Sequence, residues 1–466
     1  MGNATTENAA RKRIDSLLDA GSFVEIGSLV TARSTDFNLS ETPTPSDGVI
    51  TGYGIIDGKL VYVYSQDKSV LGGAIGEMHA RKICRIYELA LKTGAPVIGL
   101  IDSAGLRLQE ATDALEALGE IYLKQTLASG VIPQITAIFG NCGGGLALLS
   151  GLSDFVFIEK DNGKLFLNSS NAIETNKAGK DDYASADFQS KESSLVDGVG
   201  TETEIFGYIR TLVSLLPSNN EEDGNDTPCN DDLNRKCAGI DALIENSAAI
   251  LTTISDNYLF WESKRDFAPE MVTGFMKLDG MTVGAIANKK SGELTVHGAM
   301  KAVRFVSFCD AFQIPIITLT NVSGFEASVR AEKVLARATA RLAFSFANAT
   351  VPKINVLIGE AFGSSYLVMN SKKLGADIVY AWENAKIGMM DAKAASRIIY
   401  PDADNALLNE KASEYDTLQN SALSAARRGY VDAVISPEDT RKHLIASLEM
   451  LFTKREDRPA KKHGCV

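Results

Sequence analysis

Two stretches of the chain carry an apolar strand-like run into small residues and then into an apolar helix-like run. The first is Phe139-Gly140-Asn141-Cys142-Gly143-Gly144-Gly145, followed by Leu146-Ala147-Leu148-Leu149. The second is Gly359-Glu360-Ala361-Phe362-Gly363-Ser364-Ser365, followed by Tyr366-Leu367-Val368-Met369. Glycine lets a backbone approach a ligand closely, and the N–H groups at a helix start have no carbonyl of their own helix to bond. Such amides can hold negative charge developing on an oxygen. The residues expected to act are therefore Gly144 and Gly145 in the first turn and Ser364 and Ser365 in the second. Two such turns point to two oxyanions held for one reaction, a donor of this kind contributing about 3 to 4 kcal/mol. Tight strand-to-helix packing is the competing explanation for either cluster alone, and the matched second copy weakens it. Neither turn reads Gly-x-Gly-x-x-Gly with an acid further on, nor Gly-x4-Gly-Lys-Ser/Thr, so neither nucleotide-binding motif is met.

Other candidates carry less. Ser103, in Asp102-Ser103-Ala104-Gly105, lacks the Gly-x-Ser-x-Gly elbow of an activated nucleophile. His79 and His297 begin helices in corresponding regions and read either as acid–base groups or as satisfied polar residues beside a helix end. Cys142 reads as a small buried thiol. No convincing side-chain acid–base pair emerges, which favours enolates stabilised by amides over side-chain nucleophiles. The six cysteines (Cys84, Cys142, Cys229, Cys237, Cys309, Cys465) form no Cys-x-x-Cys pair, and the four histidines offer no zinc spacing. No metal and a reducing, cytoplasmic setting are expected.

The elements that must position these turns come twice. An offset of 219 carries Lys82 onto Lys301, Pro133 onto Pro352, Gly140 onto Gly359 and Gly144 onto Gly363. Each half opens with two strands split by an Asp-Gly turn, then an apolar-striped helix, a proline-led apolar strand, a second helix and another proline-led strand ending in small residues. Strands alternating with helices predict an α/β fold with layered helices. The acidic stretch that begins at Ser218 separates the halves. The expected domains are 1–217 and 238–466, with a linker over 218–237. With 45% hydrophobic and 23% charged residues the chain is an ordinary globular one, and its net charge of -12 disfavours nucleic-acid binding. Residues 125–153 carry no charge, but their proline, asparagine and glycines suit a buried strand, turn and helix rather than a membrane span.

At these positions the chain resembles the carboxyltransferase subunits of biotin-dependent acyl-CoA carboxylases, of the propionyl-CoA carboxylase β type, and the α subunits of related decarboxylases. The likeness is carried by Val-Tyr-Ser-Gln-Asp at 63–67, by residues 71–83, by Ile-Asp-Ser-Ala-Gly-Leu-Arg-Leu-Gln-Glu at 101–110, and by Leu-Pro-Ser-Asn-Asn at 216–220. It continues through 308–312, 349–353 and 370–377 to 428–432 and 437–441. The resemblance implies two tandem crotonase-like (ClpP/crotonase) domains related by internal duplication. It implies transfer of a carboxyl group between carboxybiotin and the α-carbon of a short-chain acyl-CoA, with reversal giving decarboxylation. The amides near Gly144 and Gly145 would hold the thioester oxygen, and those of Ser364 and Ser365 the ureido oxygen of biotin. Gly105, Gly143, Gly363, Ser323 and Gly324 would line the substrate sites, and Leu367 the acyl pocket. A homo-oligomer, usually a hexamer, is implied. Biotin is expected on another polypeptide, a biotin carboxyl carrier served by a biotin carboxylase subunit, since no Met-Lys-Met sequence is present. The family usually has Gly-Gly-Ala where Gly363-Ser364-Ser365 stands, and Asp-Val-Pro-Gly-Phe where Asn321-Val322-Ser323-Gly324-Phe325 stands. These departures motivate a non-catalytic CoA-binding or assembly paralogue as a third reading beside the carboxylase and decarboxylase.

Overall fold

Apolar runs led by proline or closed by Asp-Gly build two sheets, one in each of two compact units, residues 1–222 and 223–466. The computed structural model describes residues 8–33, 42–169, 172–173, 182–222, 228–459 and 464. The first unit begins α1 (Ala9–Leu17), β1 (Val24–Glu25), β2 (Val49–Ile56), β3 (Lys59–Gln66), α2 (Glu77–Thr93), β4 (Val97–Ile101) and α3 (Ala111–Ala128). It continues β5 (Gln134–Ile138), β6 (Asn141–Gly143), α4 (Leu146–Leu152), β7 (Phe155–Glu159), β8 (Lys164–Phe166), α5 (Ala186–Glu192), β9 (Gly198–Gly200) and α6 (Glu202–Leu215). Seven strands form one sheet in the order β1-β2-β3-β4-β5-β7-β9, while β6 pairs with β8 apart from it. β2 and β3 make an antiparallel hairpin. Its turn residues Asp57 and Gly58 both have positive φ, 48° and 84°, the twist a two-residue hairpin requires. From β3 onward the pairing is parallel. β4, β5 and β7 are buried at every residue, which is why their sequences run apolar instead of alternating.

The second unit comprises α7 (Ser247–Ile254), β10 (Phe260–Ser263), β11 (Met271–Leu278), β12 (Met281–Asn288), β13 (Gly292–Leu294), α8 (Val296–Ala311), β14 (Ile316–Phe325), α9 (Val329–Glu332) and α10 (Leu335–Asn348). Then come β15 (Lys353–Phe362), α11 (Gly363–Val368), β16 (Ile378–Trp382), β17 (Lys386–Gly388), α12 (Ala392–Ile399), α13 (Asn405–Tyr415), α14 (Ala422–Arg427), β18 (Ala433–Ile435) and α15 (Thr440–Leu451). The sheet order β10-β11-β12-β14-β15-β16-β18 repeats that of the first unit, with β17 beside β15 where β8 lies beside β6.

The repeat extends to buried side chains. Lys82 of α2 is 6% exposed and its ammonium donates to the carbonyls of Ser46 (2.9 Å) and Val49 (2.5 Å). Lys301 of α8, 3% exposed, donates to those of Lys264 (2.8 Å) and Phe267 (2.9 Å). Each lysine holds a turn bent by left-handed non-glycine residues, Ser46 and Asp47 in one case, Lys264 and Ala268 in the other. Among the described residues no helix is long and apolar enough to cross a membrane. Residues 218–222 of the acidic stretch pack on the first unit, where Asn219 donates to the Gly94 carbonyl (2.9 Å) and the Asn220 N–H to that of Val131 (3.0 Å). Residues 223–227 lie outside the described residues.

Candidate active site

In the first turn each glycine is required for a different reason. Gly144 has φ +61°, a left-handed conformation that side chains resist. A Cβ on Gly143 would meet the Phe166 ring at 2.5 Å, and one on Gly145 would meet Leu118 at 2.8 Å and the Tyr122 hydroxyl at 2.9 Å. The amides differ as well. The Gly144 N–H donates to the Phe166 carbonyl (2.9 Å), an extension of the β6–β8 pairing, so this expected donor is already committed inside the protein. Gly145, the residue that opens α4, has no acceptor for its N–H among the described residues. Its carbonyl accepts the Tyr122 hydroxyl (2.6 Å), which fixes the peptide's orientation. The available donor of the pair is Gly145.

Gly105 belongs to a loop laced to this turn. The Ser103 N–H donates to the Asn141 carbonyl (3.0 Å), and the Phe139 N–H to that of Ile101 (2.9 Å). Gly140 is glycine because the Asp102 carboxylate lies where its Cβ would be. Gly105 has φ +109° and open space around it. Ser103, 2% exposed, donates its hydroxyl to the Gly73 carbonyl (2.7 Å), which makes it a structural residue rather than a nucleophile. Cys142 is fully buried and its thiol is pushed up to about 12 by burial, so it carries no thiolate chemistry.

In the second turn Gly363 repeats the left-handed conformation, φ +62°. The two serines that follow part company. Ser365 is 1% exposed and donates its hydroxyl back to the Phe362 carbonyl (2.7 Å), closing the turn. Ser364 is exposed and lines a cleft of about 500 Å³ together with Gly363, Leu367 and Met389. The N–H groups of the first turn of α11 have no carbonyl of that helix to bond. Ser371 and Asn420 also line the cleft. Both are buried, and the Ser371 hydroxyl and Asn420 Oδ1 have no hydrogen-bond partner among the described residues. Ser323 and Gly324, expected beside this site, are outside the cleft lining. Both belong to β14, where Gly324 pairs with Glu293 of β13 and Ser323, at the irregularity between two pairs, is exposed.

Behind the first turn lies a buried polar network that motif reading missed, because its members are far apart in sequence. Arg107, 1% exposed, donates to Asp47 Oδ1 and Glu110 Oε1, both at 2.7 Å, and to the Ala74 carbonyl (2.9 Å). The other Asp47 oxygen accepts the His79 N–H (2.7 Å). Burial raises the Asp47 carboxyl, against the opposing charge of Arg107. His79 is held down at about 3, chiefly by burial and then by the charge of Arg107. It is therefore neutral in the fold, whereas an unfolded histidine protonates near pH 6.5. The unfolded chain then binds the extra proton, and stability falls as pH drops from about 6.5 toward 3. Through this group alone the first unit should lose about 3 kcal/mol of unfolding free energy between pH 7 and pH 4. His79→Gln should remove most of that decline; an equal decline of both proteins in denaturant titrations would refute the assignment. His297 is exposed against the Phe267 ring, 5.4 Å between centroids, and has no comparable setting.

Residues 3–466 match the carboxyl transferase domain family. The propionyl-CoA carboxylase beta chain of Roseobacter denitrificans is 38% identical, covering 98% of this chain and 93% of that protein. The methylmalonyl-CoA decarboxylase subunit alpha of Propionigenium modestum is also 38% identical, covering 100% of this chain and 94% of that protein. Among solved structures, transcarboxylase 12S, a hexamer assembly with hydrolysed methylmalonyl-coenzyme A bound, aligns with a TM-score of 0.93 at 36% identity over 98% of this chain and 92% of that one. The two units are thus crotonase-like, and the chain belongs to the carboxyl transferase domain family.

Proposed function

We propose that the protein moves a carboxyl group between carboxybiotin, borne on a separate carrier domain, and the α-carbon of a short-chain acyl-CoA. The observation that carries this reading is the matched pair of turns, in which Gly144 and Gly363 adopt the same left-handed conformation at corresponding positions before a short helix. We assign the Gly145 N–H to the thioester oxygen, with Gly144 setting the turn through its bond to Phe166, and Gly105 and Gly143 flanking. The N–H groups of Ser364 and Ser365 are assigned to the ureido oxygen, and Leu367 to the apolar wall. Preorganised amides favour the state in which charge has moved onto oxygen, because they need no reorientation as it forms.

The cleft beside Ser364 suits a fused-ring urea: it is mostly apolar, and the buried Ser371 hydroxyl in its wall has no partner among the described residues. Carboxybiotin would supply the carbon dioxide and, through the ureido anion left when its N–carboxyl bond breaks, the base for the α-proton, which is chemistry the chain's own side chains need not provide. Biotin carboxylase and biotin carboxyl carrier subunits are the partners this requires. The likeness to the hexameric transcarboxylase 12S supports assembly as a homohexamer. The same site run in reverse is a decarboxylase subunit, a reading favoured by the likeness to the Propionigenium protein. Purified protein incubated with methylmalonyl-CoA and free biotin should form propionyl-CoA, followed by liquid chromatography. Binding of methylmalonyl-CoA and malonyl-CoA without turnover of either would overturn the proposal.

A further inference from the structure

His79 is fully buried at the third residue of α2, and its two ring nitrogens face different elements. Nδ1 lies 3.0 Å from the Asp47 carbonyl oxygen, which can only accept, so Nδ1 carries the proton. Nε2 of the neutral ring is then an acceptor, and the Gln66 amide nitrogen lies 3.3 Å from it. That contact fixes Gln66 one way round, with its NH2 toward His79 and its Oε1 toward the Asp102 N–H at 3.2 Å. Asp102 is where β4 ends and the loop to Gly105 begins. Its carboxylate is held by Arg13 (3.2 Å) and packs on Gly140, and the next amide, of Ser103, is bonded to Asn141. A single tautomer is thereby transmitted through one side-chain amide to the loop laced to the Gly143–Gly145 turn. The Asp47 carbonyl that sets the tautomer is itself fixed, because Asp47 sits at φ +48° with its carboxylate on Arg107 and on the His79 N–H.

The second unit has half of this device. Asn288, at the end of β12, accepts the Asn321 N–H (3.0 Å) as Gln66 accepts that of Asp102. No histidine stands behind it: by the correspondence of Lys82 with Lys301, the place of His79 is taken by Gly298. The asymmetry ties the relay to the first turn. We infer that His79 and Gln66 are positioning residues of the first oxyanion site, an inference that rests on the carboxyltransferase reading above. Neither touches the reacting atoms; together they hold the Asp102–Gly105 loop, and through it the turn that presents the Gly145 amide.

Amide side chains can replace one nitrogen of a histidine at a time. His79→Gln extends its amide to the Nε2 position and can keep an acceptor for Gln66, whereas His79→Asn reaches only the Nδ1 position and loses it. Gln66→Glu keeps an oxygen for the Asp102 N–H but removes the donor to His79. With methylmalonyl-CoA and free biotin, His79→Asn and Gln66→Glu should each lower kcat at least about tenfold at nearly unchanged KM, since misplaced catalytic groups cost rate more than binding. His79→Gln should stay within about threefold of the wild type. Equal loss in His79→Gln and His79→Asn, or full activity of His79→Asn and Gln66→Glu, would overturn the inference while wild-type turnover left the carboxyltransferase reading standing. No turnover by the wild type itself would remove that reading and this inference with it.

Discussion

Gly145→Pro should lower kcat about a hundredfold to a thousandfold relative to Gly145→Ala, the loss seen when one preorganised oxyanion donor is deleted. The pair of substitutions isolates the amide hydrogen. Gly145 has φ -56°, which proline adopts without strain, and the residue before it is a glycine with no Cβ to crowd the ring. Both variants add a Cβ against Leu118 and Tyr122 and so share that crowding. Gly145→Ala, which keeps the N–H, should therefore fall by no more than about tenfold. KM for the acyl-CoA should move little in either, because the donor acts mainly on the charge that develops in the transition state. Equal kcat values for the two variants would show that the Gly145 amide does not serve the reaction. Gly144 is not the residue for this test, although its place in the motif invites it. Its N–H is bonded to Phe166 and its φ of +61° forbids proline, so any loss there would report the turn and not a donor.

That distinction shows where the sequence is readable and where it stops. The duplication, the hairpins turning at Asp57-Gly58 and Asp279-Gly280, and the buried parallel strands follow from local patterns: an Asp-Gly pair between apolar runs, and proline-led runs too apolar to alternate. The glycine turns stand out because a matched second copy weakens the packing explanation that either cluster alone invites. What cannot be read locally is which amide remains available. The commitment of Gly144 depends on β8, which reaches the turn only through the fold, and the inward bond of Ser365 becomes visible only once Phe362 ends its strand. The pairing of Gly324 with β13, and the irregularity there that leaves Ser323 exposed, are likewise set by a neighbour that the local sequence does not show. The buried network is hidden for the same reason, since Arg107 and Asp47 are separated by 60 residues and Asp47 and His79 by 32.

Arg107→Leu should destabilise the first unit by about 3–5 kcal/mol, the cost of leaving buried charges without their partner. The substitution strands two carboxylates, on Asp47 at 0% exposure and Glu110 at 3%, and frees the Ala74 carbonyl. For a unit of this size that corresponds to a melting temperature lower by roughly 6–20 °C. The pH dependence should also change sign. In the wild type neutral His79 makes stability fall as the solution is acidified. In the variant Asp47 keeps the burial that already raises its carboxyl and loses the opposing charge of Arg107, so its folded pKa rises further above the unfolded one and the native state takes up the proton first. The stability lost at pH 7 should then be partly regained near pH 5. Thermal melts of both proteins at the two pH values test this, and a difference in melting temperature that does not narrow at pH 5 would show that Arg107 does not neutralise this pair. The consequence reaches the site, because the Arg107 N–H bonds the Ile75 carbonyl and the Ile75 N–H bonds the Gly105 carbonyl, each at 2.9 Å. Weakening this network frees the loop beside the turn proposed to hold the thioester oxygen, so Arg107→Leu should lose activity at temperatures well below its own melting transition.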